Sequence, residues 1–184
     1  MALVIHNKKA SREFIVRQNL NRTPEIFINY DDLKSACEFV EKNRASLYVI
    51  RDAEHSSAPY FYFETFEKCK EKMALYHGQI ILAVSVNSYK NKVLLGAIEI
   101  CENTIRFCAT TDPSLDHRTM YEKAEYNFEK QPDDGIWNGI PGFDEIYCYL
   151  YDHHLLGYTV EFTVYDRPVG TNSEVVLINE VRNY

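Results

Sequence analysis

The residues best suited to carry chemistry are two glutamates in the last two extended segments of the chain. Glu161 lies in the segment 158–164, where strand alternation puts it on the face opposite Val160. Glu180 lies near the end of the next extended segment, 174–182. Two carboxylates on paired strands can hold Mg²⁺ against phosphate oxygens, because this ion takes one or two carboxylates and otherwise water and substrate. The alternative is that both side chains face solvent on the polar side of a hairpin, and spacing alone favours it.

Two further groups of polar residues allow both a chemical and a structural interpretation. Asp112, Asp116 and His117 could form a polar site, but turn chemistry and helix capping explain aspartates at this spacing equally well. His153 and His154 are neighbours near a predicted helix end. Adjacent helical side chains diverge by about 100° and rarely bind one metal ion. We therefore favour the structural interpretation for both groups.

Short motifs with a well-defined chemistry are missing from the sequence. It contains no GxxxxGK[ST], GxGxxG, HExxH or GxSxG pattern and no EF-hand loop. The strongest motif-based assignments, among them P-loop nucleotide hydrolysis and zinc proteolysis, are thereby removed.

The composition favours one cytoplasmic domain. With 184 residues, 46% of them hydrophobic, the chain is long enough to bury one large core. The net charge of −7 opposes accumulation on nucleic-acid phosphates. No apolar run approaches the ~20 residues of a membrane helix, so we expect neither a nucleic-acid nor a membrane partner. Five widely spaced cysteines without a CxxC pair indicate free thiols in a reducing compartment, the cytoplasm.

Hydrophobic periodicity predicts an α+β fold, with a largely antiparallel sheet or sheets and helices packed on one face. Helices are predicted over 8–20, 31–43, 65–76 and 143–155. Strands are predicted over 25–28, 46–51, 59–63, 79–86, 93–100, 104–109, 158–165 and 174–181. The last four strands form two hairpins, because each pair is joined by a short polar connection. The polar, Pro- and Gly-containing stretch 112–142 is expected to be an insertion or a mobile loop.

Several segments together resemble the ATP-grasp superfamily, the fold of carboxylate–amine ligases such as D-alanine ligases. Residues 7–25 are similar to the start of the family's nucleotide-binding region, and residues 142–182 are similar to its closing part. The likeness spans nearly the whole chain. It implies an ATP-grasp-like single domain over residues 1–184, with a subdomain division near 85–90.

The resemblance implies roles in nucleotide binding for four residues. Arg51 ends a segment similar to the strand whose basic residue touches nucleotide phosphate, and Lys8 is a second phosphate-binding candidate. Val84 and Val86 belong to the segment 79–86, which resembles the strand leading to the adenine-binding hinge. The expected ligand is therefore ATP.

The resemblance also supplies context for the two glutamates. It makes Glu161 and Glu180 the ligands of Mg²⁺, the second expected cofactor. We expect the sheet to bring both of them and Arg51 toward one cleft around the nucleotide.

Two departures from the family pattern keep a second function open. The segment 52–59 corresponds to a Gly- and Ser-rich loop that covers phosphate in the family, yet it has no glycine. The family's Glu-x-Asn becomes either Glu180-x-Arg182 or a version shifted to Asn179. The resemblance implies a nucleotide-binding domain of an ATP-dependent carboxylate ligase or phosphotransfer system. The departures favour a degenerate, non-catalytic binding or assembly module, and an unrelated α+β interaction protein is the third alternative.

The part of the family that the chain resembles bears on its partners. The likeness begins at the family's central subdomain. We therefore expect a complete ligase site only where a protein partner or a second copy of the chain completes it.

Overall fold

The structure is a computed structural model that describes Ile5 and residues 7–55, 58–131, 135 and 137–183. Within these residues the chain divides into two compact units. The larger unit comprises Ile5 and the described residues of 10–22 and 90–183, and the smaller unit comprises those of 7–9 and 23–89. The single domain over residues 1–184 stays a prediction.

The smaller unit contains an antiparallel sheet covered by two helices. Its strands are β1 (Glu25–Asn29), β2 (Tyr48–Asp52), β3 (Phe61–Phe63) and β4 (Gln79–Val84), in the order β1-β4-β2-β3. The helices are α2 (Leu33–Asn43) and α3 (Phe66–Met73), and a 3₁₀ turn, Val86–Ser88, follows β4. Alternate strand residues such as Ile50 and Leu82 pack against Phe39 and Met73 of the helices. Because alternation is strict, the remaining strand residues face away from this core.

The larger unit contains a second antiparallel sheet, of five strands within the described residues, in the order β7-β6-β5-β8-β9. The strands are β5 (Lys92–Cys101), β6 (Thr104–Thr110), β7 (Tyr126–Lys130), β8 (Thr159–Val169) and β9 (Glu174–Arg182). The helices are α1 (Lys8–Arg17), whose first two residues belong to the smaller unit, α4 (His117–Met120) and α5 (Phe143–Asp152).

The two faces of the five-stranded sheet carry different side chains. One face holds the main core of the larger unit, in which Phe107 and Phe162 pack with Phe143 of α5. On the other face Leu95 of β5 packs with Met120 of α4. Thr163 and Glu161 of β8, the Cα partners of Leu95 and Ala97, project from this second face, which we call the α4 face.

The predicted α+β class and its antiparallel sheets are confirmed, as are the predicted helices and both hairpins. The sequence analysis missed α4 and β7, which lie in the stretch expected to be an insertion. β7 is an edge strand in which Asn127 and Glu129 are exposed. Only Tyr126 and Phe128 of this strand pack against the core, too few apolar residues to predict a strand from the sequence. None of the described helices combines the length and apolar character needed to cross a membrane.

Candidate functional site

Glu161 and Glu180 are brought together on the α4 face. They are directly opposed Cα partners in the β8–β9 ladder. Opposed residues of an antiparallel pair project to the same face, with Cβ atoms about 5 Å apart. Their neighbours Val160 and Val181 point to the opposite face, into the main core. The predicted adjacency of the two carboxylates therefore holds, and both belong to the larger unit.

Arg182 supplies a positive charge beside both carboxylates. Its Nε and Nη2 atoms each lie 2.6 Å from Oε1 of Glu180. Nη2 is also 3.9 Å from Oε1 of Glu161. The Glu180 side chain is 4% exposed and that of Glu161 14% exposed, so the pair is shielded from solvent. A buried carboxylate needs such a partner because desolvation penalises its charge.

The hydroxyl of Tyr121 completes this group of side chains. It donates a hydrogen bond to Oε1 of Glu161 at 3.1 Å. Burial raises the pKa of Tyr121, and the charge of Glu161 adds to the shift, so the hydroxyl stays protonated and able to donate. We call Glu161, Glu180, Arg182 and Tyr121 the carboxylate cluster.

The carboxylate cluster has the oxygen ligands that Mg²⁺ prefers, but two of these oxygens already contact other side chains. Carboxylate oxygens are the ligands this ion prefers. However, Oε1 of Glu180 is already held by the Arg182 guanidinium, and Oε1 of Glu161 by Tyr121. Across the described residues, no group of three or more His, Cys, Asp and Glu side chains is arranged to hold a metal ion. The Oε1 atoms of the two glutamates, as they stand, therefore do not fit a magnesium ion bound between them.

A second polar group adjoins the cluster on the same face. The Asn179 side-chain amide lies 3.0 Å from Oγ1 of Thr163 and 3.2 Å from Nε2 of His117. Nε2 of His117 is also 3.0 Å from the Phe162 carbonyl oxygen, and it can either donate to that oxygen or accept from the Asn179 amide nitrogen, but not both at once. Sequence reasoning considered His117 only with its neighbouring aspartates. The alternation of β8 puts Thr163 on the same face as Glu161, and it is the sequence signal that indicates a polar group here. It does not indicate that His117 belongs to this group.

The two aspartates near His117 have the structural roles favoured by the sequence. Asp112 accepts a hydrogen bond from the Ser114 backbone N–H at 2.9 Å. Asp116 accepts one from the Thr119 N–H at 3.0 Å, at the start of α4. These are turn and capping contacts.

Arg51 lies in the smaller unit, on the sheet face that points away from the helix-covered core. Its Cα partner in β4 is Ile81, and Phe27 of β1 lies beyond it at the same level. Arg51 also lies close enough to Tyr76 to affect its ionisation. Burial, followed by the charge of Asp52, raises the pKa of Tyr76 to about 12, and Arg51 opposes this shift.

Lys8 belongs to the same unit as Arg51. It begins α1 next to Lys9, whose Nζ lies 3.8 Å from Glu54, three residues beyond Arg51. The two predicted phosphate-binding residues therefore stand on neighbouring segments of the smaller unit. The expected cleft that joins Arg51 to the two glutamates stays a prediction.

The two valines predicted near adenine differ in their surroundings. Val84 is 3% exposed and packs in the core of the smaller unit, and its backbone N–H donates to the Pro24 carbonyl. Val86 opens the 3₁₀ turn and is half-buried. Their contact with a nucleotide stays a prediction.

In residues 53–55, which follow β2, the backbone N–H groups donate hydrogen bonds within the protein. Oδ1 of Asp52 accepts from the N–H groups of Glu54 at 2.8 Å and His55 at 2.7 Å. The N–H of Ala53 donates to the Gln79 carbonyl at 3.0 Å. Residues 56 and 57 of this segment lie outside the described residues. A loop that cradles phosphate does so with N–H groups directed at the anion, and those of 53–55 are directed elsewhere.

The fold is similar to that of several solved enzymes. One is N5-carboxyaminoimidazole synthase from Aspergillus clavatus in complex with ADP and 5-aminoimidazole ribonucleotide, with a TM-score of 0.56, 9% identity and coverage of 97% of this chain and 44% of that chain. Another is D-alanyl-alanine synthetase A from Vibrio cholerae, with a TM-score of 0.54, 12% identity and coverage of 96% and 55%. The D-alanine-D-alanine ligase from Coxiella burnetii gives a TM-score of 0.50, 10% identity and coverage of 96% and 47%.

These enzymes have the ATP-grasp fold, and the chain accordingly has an ATP-grasp-like fold. It spans about half the length of the structures it matches. By sequence, no protein-family model and no curated protein matches it. The resemblance inferred from scattered segments is therefore confirmed at the level of fold.

Proposed function

We propose that this chain binds an adenine nucleotide as an ATP-grasp-like domain. The observation that carries the proposal is the similarity of fold over 96 to 97% of the chain to two ATP-grasp enzymes. One of those structures is a complex with ADP. The four candidate residues for nucleotide contact lie in the smaller unit: Lys8, Arg51, Val84 and Val86.

Arg51 is the residue on which the proposal is best tested. A guanidinium suits phosphate because it is permanently charged and presents paired N–H donors. Arg51 stands near the end of β2, on the face that the helices of its unit leave uncovered. Its neighbours Val49 and Ile81 on that face are buried, and the contact of Arg51 with phosphate is part of the proposal.

A thermal-shift titration with ATP and with ADP tests nucleotide binding. A ligand present at 100 times its Kd stabilises the native state by about 2.7 kcal/mol. For a chain of this length that corresponds to a rise in Tm of about 5 to 11 °C. Arg51→Gln should reduce the ligand-induced shift, whereas Arg44→Gln, which removes an exposed arginine of the same unit, should not. A wild-type chain whose Tm does not respond to either nucleotide contradicts the proposal.

A second candidate function is nucleotide binding without turnover. The specific observation in its favour is the segment 52–55, which has no glycine and whose N–H groups at 53–55 are used internally. Phosphoryl transfer depends on holding donor and acceptor together in a site that excludes water. A segment that does not cradle the phosphate weakens that control.

Turnover is measured separately from binding. We expect the purified chain to release no phosphate from ATP above background, even under conditions where ATP raises its Tm. Phosphate release by the wild type that Arg51→Gln abolishes would refute the non-catalytic candidate and support the ligase or phosphotransfer alternative. The expected Mg²⁺ at Glu161 and Glu180, whose Oε1 atoms are held by Tyr121 and Arg182, is tested by repeating the titration with and without Mg²⁺. Supply of the remaining parts of a ligase site by a protein partner or a second copy stays a prediction.

A further inference from the structure

Arg182 forms an ion pair with Glu180, which lies two residues before it in β9. Residues two apart on a strand share a face, so Arg182 and Glu180 both project from the α4 face. The guanidinium holds Glu180 through Nε and Nη2, both 2.6 Å from the same oxygen. It extends toward Glu161, reaching 3.9 Å from Oε1. One cation is thus placed against two carboxylates.

The guanidinium contacts Oε1 of Glu180, an oxygen that a metal ion shared by the two carboxylates could use. A magnesium ion binds carboxylate oxygen at about 2.1 Å, so on Oε1 of Glu180 it would lie less than about 5 Å from Nη2 in any direction. The Glu180 side chain is 4% exposed and that of Arg182 39% exposed, so solvent and salt screen the repulsion between these cations only in part. A metal ion on this oxygen therefore requires Arg182 to leave Glu180.

We propose that Arg182 takes the place of a divalent cation in the carboxylate cluster. The guanidinium neutralises Glu161 and Glu180, and the wild-type chain takes up no divalent metal ion there. A consequence, which rests on the proposed function, is that nucleotide binding does not depend on Mg²⁺ held by Glu161 and Glu180.

Direct titration of the full chain with Mn²⁺, followed by electron paramagnetic resonance, tests the proposal without nucleotide. The wild type should show no bound Mn²⁺ that depends on Glu161. Arg182→Asn should gain a site, with affinity raised at least about tenfold, because charges of +2 and +1 this close repel strongly even at an effective dielectric constant of about 20. Adding Glu161→Gln to Arg182→Asn should remove the gain.

Two controls separate charge from other effects of the substitution. Arg182→Lys keeps a cation on this face of β9 and should behave as the wild type. Arg167→Asn makes the same chemical change at an exposed arginine of β8, paired with Asp166, and should also behave as the wild type. Wild-type binding of Mn²⁺ that Glu161→Gln abolishes overturns the proposal. So does a folded Arg182→Asn chain that gains no Mn²⁺ site, and the wild-type titration decides the question if that variant does not fold.

The nucleotide consequence has its own measurement. The ATP-induced rise in Tm should be equal in EDTA and in Mg²⁺. A rise that requires Mg²⁺ and disappears in Glu161→Gln counts against Arg182 as the cation. If ATP causes no rise under either condition, the proposed function fails, and the Mn²⁺ titration still decides the role of Arg182.

Discussion

The side chain of Asn21 forms hydrogen bonds with the turn that joins β8 to β9 and with the adjoining strand ends. These two strands carry Glu161, Glu180 and Arg182 of the carboxylate cluster. The Asn21 side chain is fully buried. Its amide nitrogen donates to the carbonyl oxygens of Val176 at 2.7 Å and Val169 at 3.1 Å, with a longer contact of 3.3 Å to that of Glu174. Its carbonyl oxygen accepts from the N–H of Asn172 at 2.9 Å. One side chain, outside the hairpin, therefore contacts four residues of the hairpin.

Asn21→Ala removes all these contacts, including the three shorter hydrogen bonds, and leaves their partners unsatisfied. At about 1 kcal/mol net for each bond, we expect a loss of about 3 kcal/mol in the free energy of unfolding. For a chain of this length that lowers Tm by about 6 to 12 °C. Asn21→Asp should cost more than Asn21→Ala, because a carboxylate oxygen would replace the donor and face two carbonyl oxygens.

Urea unfolding monitored by circular dichroism measures the loss for both variants. Asn127→Ala is the matched control, because Asn127 is exposed on the edge strand β7, and its midpoint should be that of the wild type. An Asn21→Ala midpoint equal to that of the control would refute the role of the side chain. So would an Asn21→Asp chain as stable as the wild type.

Two further predictions concern single positions. In β5, a Cβ on Gly96 would lie 2.7 Å from Cβ of Ala109, so Gly96→Ala should lower the free energy of unfolding by about 1 to 3 kcal/mol. Gly78→Ala, with no atom within 4 Å of the added Cβ, should be nearly neutral in the same urea assay, and equal effects would contradict the packing argument. Hydrogen bonds from Ser35 lower the pKa of Asp32, the N-cap of α2, below the ordinary 3.8, so its capping contribution is present above about pH 4 and is lost as the pH falls through the lowered pKa. Asp32→Asn, which keeps an acceptor without titrating, should lose less stability over that acid range in pH-dependent thermal melts, and parallel losses would contradict this.

The sequence predicted the elements of the fold because most of them are strongly periodic. β8 alternates apolar and polar residues, and Val160, Phe162 and Val164 all face the main core, as expected. The α2 stripe was predicted in the same way. β7 was missed because an edge strand needs few apolar residues, and α4 because it is a helix of four residues. Short elements are specified mainly by tertiary contacts, which a single sequence does not display.

The candidate site was predicted less completely, and the reason lies in one residue of β9. Regular alternation from Val176 and Ile178, both in the main core, would direct Glu180 into the core as well. The ladder instead passes from Phe162↔Ile178 to Glu161↔Glu180, so Asn179 is an extra residue, a β-bulge.

The bulge explains the composition of the candidate site. It moves Glu180 to the α4 face and returns Val181 to the main core. Arg182, two residues after Glu180, then reaches both carboxylates. The extra residue is itself used, since Asn179 projects to the same face and bonds Thr163. An irregularity of one residue in the register thus decides whether this hairpin presents an apolar or a charged surface. Periodicity contains no signal for such an irregularity, so residue types alone could nominate Glu180 but could not predict that Arg182 would hold it.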